Sequence, residues 1–119
     1  VDRGAPVLTW VHGEDEGLRL ARAQHRPALL DFYADWCLPC KELELKTFSN
    51  PEVARALSDL TLVKVNCTSD DDPTVIETKK RYGADTLPTL VLLRADGTIA
   101  HKVDHFIGPA ELLALLHGL

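Results

Sequence analysis

No stretch of the chain approaches the ~20 consecutive apolar residues of a membrane-spanning helix, and no leading segment has the pattern of a signal peptide. The chain begins at Val1 rather than methionine, from which we expect a processed protein or a domain cut from a longer one. Basic charge is also short. Lys and Arg number 13 against 18 Asp and Glu, a net charge of −5, which excludes the electrostatic footprint of a nucleic-acid binder and the basic patch of an anionic-lipid binder. Cysteine is scarce and odd in number, three in all, so a structural disulfide framework is excluded. Methionine is absent, which removes an oxidisable side chain and points to no function. The remainder, 45% hydrophobic and 26% charged over 119 residues, has the composition of one soluble globular domain, residues 1–119, with a single sizeable core.

Against these absences one stretch stands out. Leu29-Leu30-Asp31-Phe32-Tyr33-Ala34-Asp35-Trp36-Cys37-Leu38-Pro39-Cys40-Lys41 opens as an apolar run of strand type and ends in a C-x-x-C pair, after which a helical pattern starts. Two cysteines at that spacing close to a disulfide or open to a dithiol. Unpaired backbone N–H groups and the dipole of a helix start favour the thiolate of the leading residue. The chemistry expected is thiol–disulfide exchange. The competing reading, half of a zinc site, needs two further close thiols or histidines, and Cys67 with the scattered histidines supplies no second pair.

The rest of the chain predicts alternating elements. Val7–Val11 reads as a first strand. A helix follows over Glu14–His25, with Leu18, Leu20, Ala21 and Ala23 on its pattern, ended by the residue before Pro27. Ala28–Ala34 is a central strand buried on both faces, and Cys37 to about Phe48 is a helix. Asn50 caps a further helix with Pro51 at its first position. Leu60–Cys67 is a strand, and Thr74–Tyr82 a helix stopped by Gly83. Thr89–Arg94 and Thr98–Val103 form a hairpin about Asp96-Gly97. Gly108-Pro109 opens a last helix, Ala110–His117, with Leu112, Leu113, Leu115 and Leu116 inward. The expected architecture is α/β, a mixed sheet of about five strands with helices on both faces.

Asp31 through Lys41 resembles the thioredoxin active-site signature, and Thr86-Leu87-Pro88-Thr89 resembles its cis-proline loop. Within the thioredoxin superfamily the chain is most similar to the C-terminal periplasmic domains of DsbD-type thiol:disulfide interchange proteins. That similarity rests on Leu30–Cys37, Cys40-Lys41-Glu42-Leu43-Glu44, Lys46–Val53, Val65-Asn66-Cys67-Thr68 and Asp85–Thr89. It departs from the pattern at Leu38-Pro39, whose proline is that of thioredoxin, at Lys64, and at His105, where a glycine is usual.

The resemblance implies a thioredoxin fold, and a domain that takes electrons from a membrane-embedded partner domain and passes them to other periplasmic thiol–disulfide domains. It implies no cofactor beyond the Cys37–Cys40 pair, no metal, a monomer, and a periplasmic location, with a cytoplasmic one as the alternative. A free-standing thioredoxin-like reductase, including one serving cytochrome c maturation, and a non-catalytic binding module remain as rival readings.

Roles follow residue by residue. Cys37 is the nucleophile, expected to be more exposed than Cys40, and Cys40 resolves the mixed disulfide. Asp31, six residues before Cys37 in an apolar strand, is a paired structural charge or a proton carrier for Cys40, and the resemblance favours the carrier. Glu44 lies on the Cys40 face of the helix and is either solvated or near the thiols. Together the two acids would oppose the helix effect and make the Cys37 thiolate harder to form. Trp36, Leu38, Pro39, Leu87 and Pro88 are the expected partner-binding residues, with Pro88 in cis. Lys64 either reaches Asp31 across adjacent strands or is exposed. Cys67 is a small buried apolar residue, and His105 a surface residue.

Overall fold

In the computed structural model, which describes residues 5–119, the apolar run Ala28–Tyr33 forms the central strand β2. Two strands flank it, which is why five of its six residues are buried. The strand β3 (Thr61–Asn66) runs parallel to it, with Leu30 opposite Val63 and Asp31 opposite Lys64. On the other side β4 (Thr89–Leu93) runs antiparallel, with Leu90 opposite Asp31. A short β1 (Trp10–His12) pairs parallel with β3, and β5 (Ile99–Val103) antiparallel with β4, giving the order β1-β3-β2-β4-β5. This is the mixed five-stranded sheet that the sequence predicts.

Helices cover both faces. Leu29, Leu62, Leu90 and Leu92 point to one face and pack against Leu43, Phe48, Val53, Leu57 and Leu112. These come from the segment after the cysteines, from α3 (Pro51–Leu57) and from α5 (Pro109–Leu116). Leu30, Phe32, Val63, Val65 and Val91 point to the other face, against α1 (Glu14–Gln24) and α4 (Pro73–Tyr82). Side chains alternate along a strand, so Asp31 shares the face of Leu29, and Lys64 that of Leu62. Both charges lie beneath the segment that follows the cysteines.

Several boundaries differ from expectation for identifiable reasons. Only Trp10–His12 pairs as β1, against Leu62–Lys64 of β3, and Val7 is 93% exposed. The helix α1 ends at a left-handed His25 (φ 53°), whose N–H reaches back to carbonyls of the last turn, two residues before the proline. Its inward face is Glu14, Gly17, Leu18 and Ala21, whereas Leu20 and Ala23 face solvent. A Cβ on Gly17 would stand 2.3 Å from Val63 Cγ2, so its absence lets α1 lie directly on β3. Of the α5 leucines only Leu112 is fully buried, and Leu113, Leu115 and Leu116 pack at the margin of the core. Asn50 caps α3 as expected, its Oδ1 accepting from Glu52 N–H (3.0 Å) and Val53 N–H (3.1 Å). Gly83 ends α4 in the left-handed region.

Candidate active site

The C-x-x-C pair lies where β2 passes into the helix α2 (Leu38–Glu42). Cys37 is the residue before that helix, and its Sγ accepts the N–H of Cys40 at 3.2 Å. Pro39 occupies the first turn, where a missing N–H costs nothing. The sulfurs are joined in a disulfide, with Cα atoms 5.3 Å apart. The expected difference in exposure is absent. Cys37 is 4% and Cys40 6% accessible, because Ala34, Tyr33 and Leu87 pack around both. What protrudes instead are the flanking residues: Trp36 is 66% and Leu38 68% exposed. The disulfide is almost wholly covered, and exposed apolar side chains flank it in sequence.

Leu87 reaches that rim from the facing loop, and its peptide bond to the buried Pro88 is cis. Beyond α2 the chain continues as one wide π-helical segment, Leu43–Phe48, rather than as regular α-helix. Thr47 holds this segment by donating to the Ile107 carbonyl at 2.6 Å. Glu44, four residues past Cys40, is drawn toward the sheet and pairs with Lys64. A cleft of about 190 Å³ is lined by Cys40, Glu44 and Lys64, together with Tyr33, Ala34, Asp35 and Lys41.

Lys64 is the hub of this cleft. Its Nζ donates to Asp31 Oδ2 at 2.9 Å and also bonds Glu44. It stands 4.5 Å from the ring centre of Trp10 and 4.8 Å from that of Tyr33, both favourable cation–π contacts. Burial pulls its pKa down, but Asp31 and Glu44 more than reverse this and leave it raised, so the ammonium is charged. Asp31 is 2% exposed. Burial pushes its pKa up, the Lys64 cation opposes this, Glu44 reinforces it, and the net direction is upward. Its other oxygen, Oδ1, has no hydrogen-bond partner among the described residues. The two acids therefore share one cation, and the exposed-lysine alternative falls away.

Cys67 is buried as expected, and burial pushes its thiol pKa up. His105 is exposed and bonds Asp104 Oδ1 (3.2 Å), and the Asp104 carbonyl accepts from Thr86 Oγ1 (3.3 Å) at the cis-proline loop. Sequence reasoning passed over the ring environment of Lys64 and the bonds that tie Asp35 and Trp36 to Thr68 (2.9 and 3.3 Å). The one available signal was Asn66-x-Thr68, a spacing that favours local side-chain turns.

Comparison with known proteins gives this arrangement its place. Residues 9–95 match the family model described as thioredoxin-like. The chain belongs to the thioredoxin-like family. It is 39% identical over 102 residues to the thiol:disulfide interchange protein DsbD of Salmonella paratyphi A, a match covering 82% of this chain and 18% of that one. To DsbD of Ralstonia nicotianae it is 41% identical over 88 residues, covering 72% and 14%. The chain thus spans less than a fifth of the length of these curated relatives. Among solved structures, the C-terminal domain of Neisseria meningitidis DsbD matches in its oxidised form with a TM-score of 0.76 at 28% identity, covering 84% of this chain and 87% of that one. The reduced form matches at 0.75 and 26%, covering 89% and 96%. A Thermus thermophilus thioredoxin matches at 0.77 and 26%, covering 92% and 84%. In this thioredoxin-like chain the Cys37–Cys40 disulfide, closed at the start of α2, fits the form of a C-x-x-C redox pair.

Proposed function

We propose that this chain is a relay domain of DsbD type, which accepts two electrons from the dithiol of one protein domain and passes them to the disulfide of another in the periplasm. In the reduced state the Cys37 thiolate attacks one sulfur of the acceptor disulfide, and the other sulfur leaves as a thiolate that takes up a proton. Cys40 then loses its proton and attacks Cys37 Sγ. This closes the Cys37–Cys40 bond and releases the second acceptor sulfur as a thiol. The acceptor gains two electrons and two protons; counted from the dithiol this chain loses the same, one proton to solvent when the Cys37 thiolate forms and one from Cys40. Trp36, Leu38, Pro39, Leu87 and Pro88 form the docking rim. Asp31 takes the Cys40 proton within the cluster it makes with Lys64 and Glu44.

The observation that carries this reading is the cleft in which Cys40, Glu44 and Lys64 meet, with Asp31 bonded directly to Lys64. It sets beside the resolving thiol a buried carboxyl whose pKa burial pushes up, a candidate acceptor for the Cys40 proton. Insulin reduction in the presence of dithiothreitol tests it. Cys37→Ser is expected to fall to the uncatalysed rate, and Cys40→Ser to accumulate a mixed disulfide visible on non-reducing gels. Activity surviving in Cys37→Ser overturns the proposal, and inactivity of the unmodified chain would favour a binding module. Pro39 and the Lys64–Asp31 pair are the features that favour a free-standing thioredoxin-like reductase. Membrane spans flanking the chain in its full-length context would decide against that reading.

A further inference from the structure

The loop that follows β3 makes an unusual set of bonds to the stretch leading into Cys37. Asn66 Oδ1 accepts both the Thr68 N–H (3.0 Å) and the Thr68 hydroxyl (2.5 Å). The same hydroxyl oxygen accepts the N–H of Asp35 (2.9 Å), and the Thr68 carbonyl accepts the indole Nε1–H of Trp36 (3.3 Å). Between these residues Cys67 N–H donates to the Tyr33 carbonyl (2.6 Å), extending the β2–β3 pairing by one bond. The Thr68 hydroxyl thus donates on one side and accepts on the other. Among the described residues its peptide carries the one polar anchor of the Trp36 ring, which is otherwise largely exposed.

We infer that Thr68, oriented by Asn66, is a positioning residue that holds Trp36 and the Asp35 backbone in the pose a partner protein docks onto. This rests on the relay reading above and adds to it where partner recognition is set. An exposed tryptophan with free rotamers loses that freedom each time a partner binds, whereas a ring already anchored by its N–H does not. The anchor comes from the loop just past β3, tied back to the strand's last residue Asn66, rather than from the redox loop itself. A solvated polar loop would leave the Asp35 amide and the indole to water; here both are taken up by one residue 32 or 33 positions further on.

The test separates docking from sulfur chemistry. Thr68→Val keeps the side-chain shape and removes both hydroxyl bonds, and Thr68→Ser restores the hydroxyl. The chain has two tryptophans, so an amide–indole correlation spectrum shows two indole signals, with Trp36 assigned through Trp36→Phe. In Thr68→Val we expect the Trp36 indole N–H to shift and to exchange faster with solvent while that of Trp10 stays in place. We expect the KM for insulin to rise about three- to tenfold with kcat changed less than about twofold. The rate at which the reduced protein reacts with glutathione disulfide, which has no extended surface to dock, should hold within about twofold, and Thr68→Ser should return KM and the indole signal toward their original values. An unmoved Trp36 signal, an unmoved KM, or an equal loss toward insulin and glutathione disulfide each overturns the inference. If the unmodified chain fails to reduce insulin, the relay reading fails instead, and the indole signals still report whether the anchor exists.

Discussion

At Lys64 a single ammonium serves two acids, and the protonation of Asp31 is set by what surrounds that ammonium. Burial makes the Asp31 carboxylate costly, and the cation 2.9 Å away recovers part of that cost. Removing the cation leaves burial and the Glu44 charge to act together, and both push upward. Lys64→Gln is therefore expected to move the Asp31 deprotonation to higher pH, so the rising limb of the kcat–pH profile shifts up and activity at a given pH below it falls. A profile with an unmoved limb would remove Asp31 from the proton path. At this scale the sequence was legible where chemistry is local. The C-x-x-C spacing named its own function, and Asp31 announced itself as an acid in an apolar run. Lys64 stood as one of two readings until the strand register placed it directly opposite Asp31. Thr68 was opaque, because its partners Asp35 and Trp36 are more than thirty residues away and any small polar loop residue has the same appearance in one dimension.

Between elements, packing distance and paired charge decide. The closeness of α1 and β3 depends on Gly17, where an added Cβ would fall inside the Val63 side chain. Gly17→Ala gains about 1 kcal/mol of helix propensity but overpacks a fully buried β-branched neighbour at about 1–3 kcal/mol. We expect a net loss of roughly 1 kcal/mol, read as a lower urea midpoint with unchanged slope.

The start of α1 and the end of α4 are joined through Glu14, which accepts from Arg81 Nη1 (2.6 Å) and from the Tyr82 hydroxyl (2.5 Å). Burial raises the Glu14 pKa, but the bonds from Arg81 and Tyr82 outweigh it, so the carboxyl lies below its ordinary 4.5. A depressed carboxyl contributes stability that is complete above the unfolded-state pKa and is lost as pH falls through the folded one. The unfolding midpoint should therefore drop as pH is lowered through 4.5 and below, and Glu14→Gln should flatten that decline while lowering stability at pH 7. Equal slopes for the two proteins would mean the pair contributes nothing. Neither feature could be read from hydrophobic periodicity, which counts apolar positions and is blind to an inward glycine or an inward acid. The same blindness placed Leu20 and Ala23 on the wrong side of α1. The π segment escaped for a different reason. Leu43, Thr47 and Phe48 turn inward at spacings a regular helix also provides, and the widening follows from the Thr47 bond to Ile107 sixty residues away.

For the molecule as a whole, the fold must persist in both oxidation states if it is to carry electrons. The disulfide spans a sequence separation of only 3, so it constrains the unfolded chain by no more than about 2 kcal/mol. Neither cysteine belongs to the twelve-residue core cluster that α3 and α5 help to form. Reduction is expected to lower the thermal midpoint by several degrees while leaving the far-ultraviolet dichroism and the amide spectrum of the sheet in place. Unfolding on reduction would be incompatible with a relay. The global architecture was the most legible property of the chain, because strand and helix patterns, Gly83, Asn50-Pro51 and Asp96-Gly97 all agree on the same elements.

The shallow burial of both sulfurs has a consequence for leakage. With Tyr33 and Leu87 packed against the pair and only 4% and 6% of the two cysteines accessible, a colliding molecule meets mostly hydrocarbon, so small disulfides should react more slowly than a docked protein. If the chain relays electrons as proposed, its selectivity would lie in that sheath, because an acceptor must press those side chains aside to reach the pair.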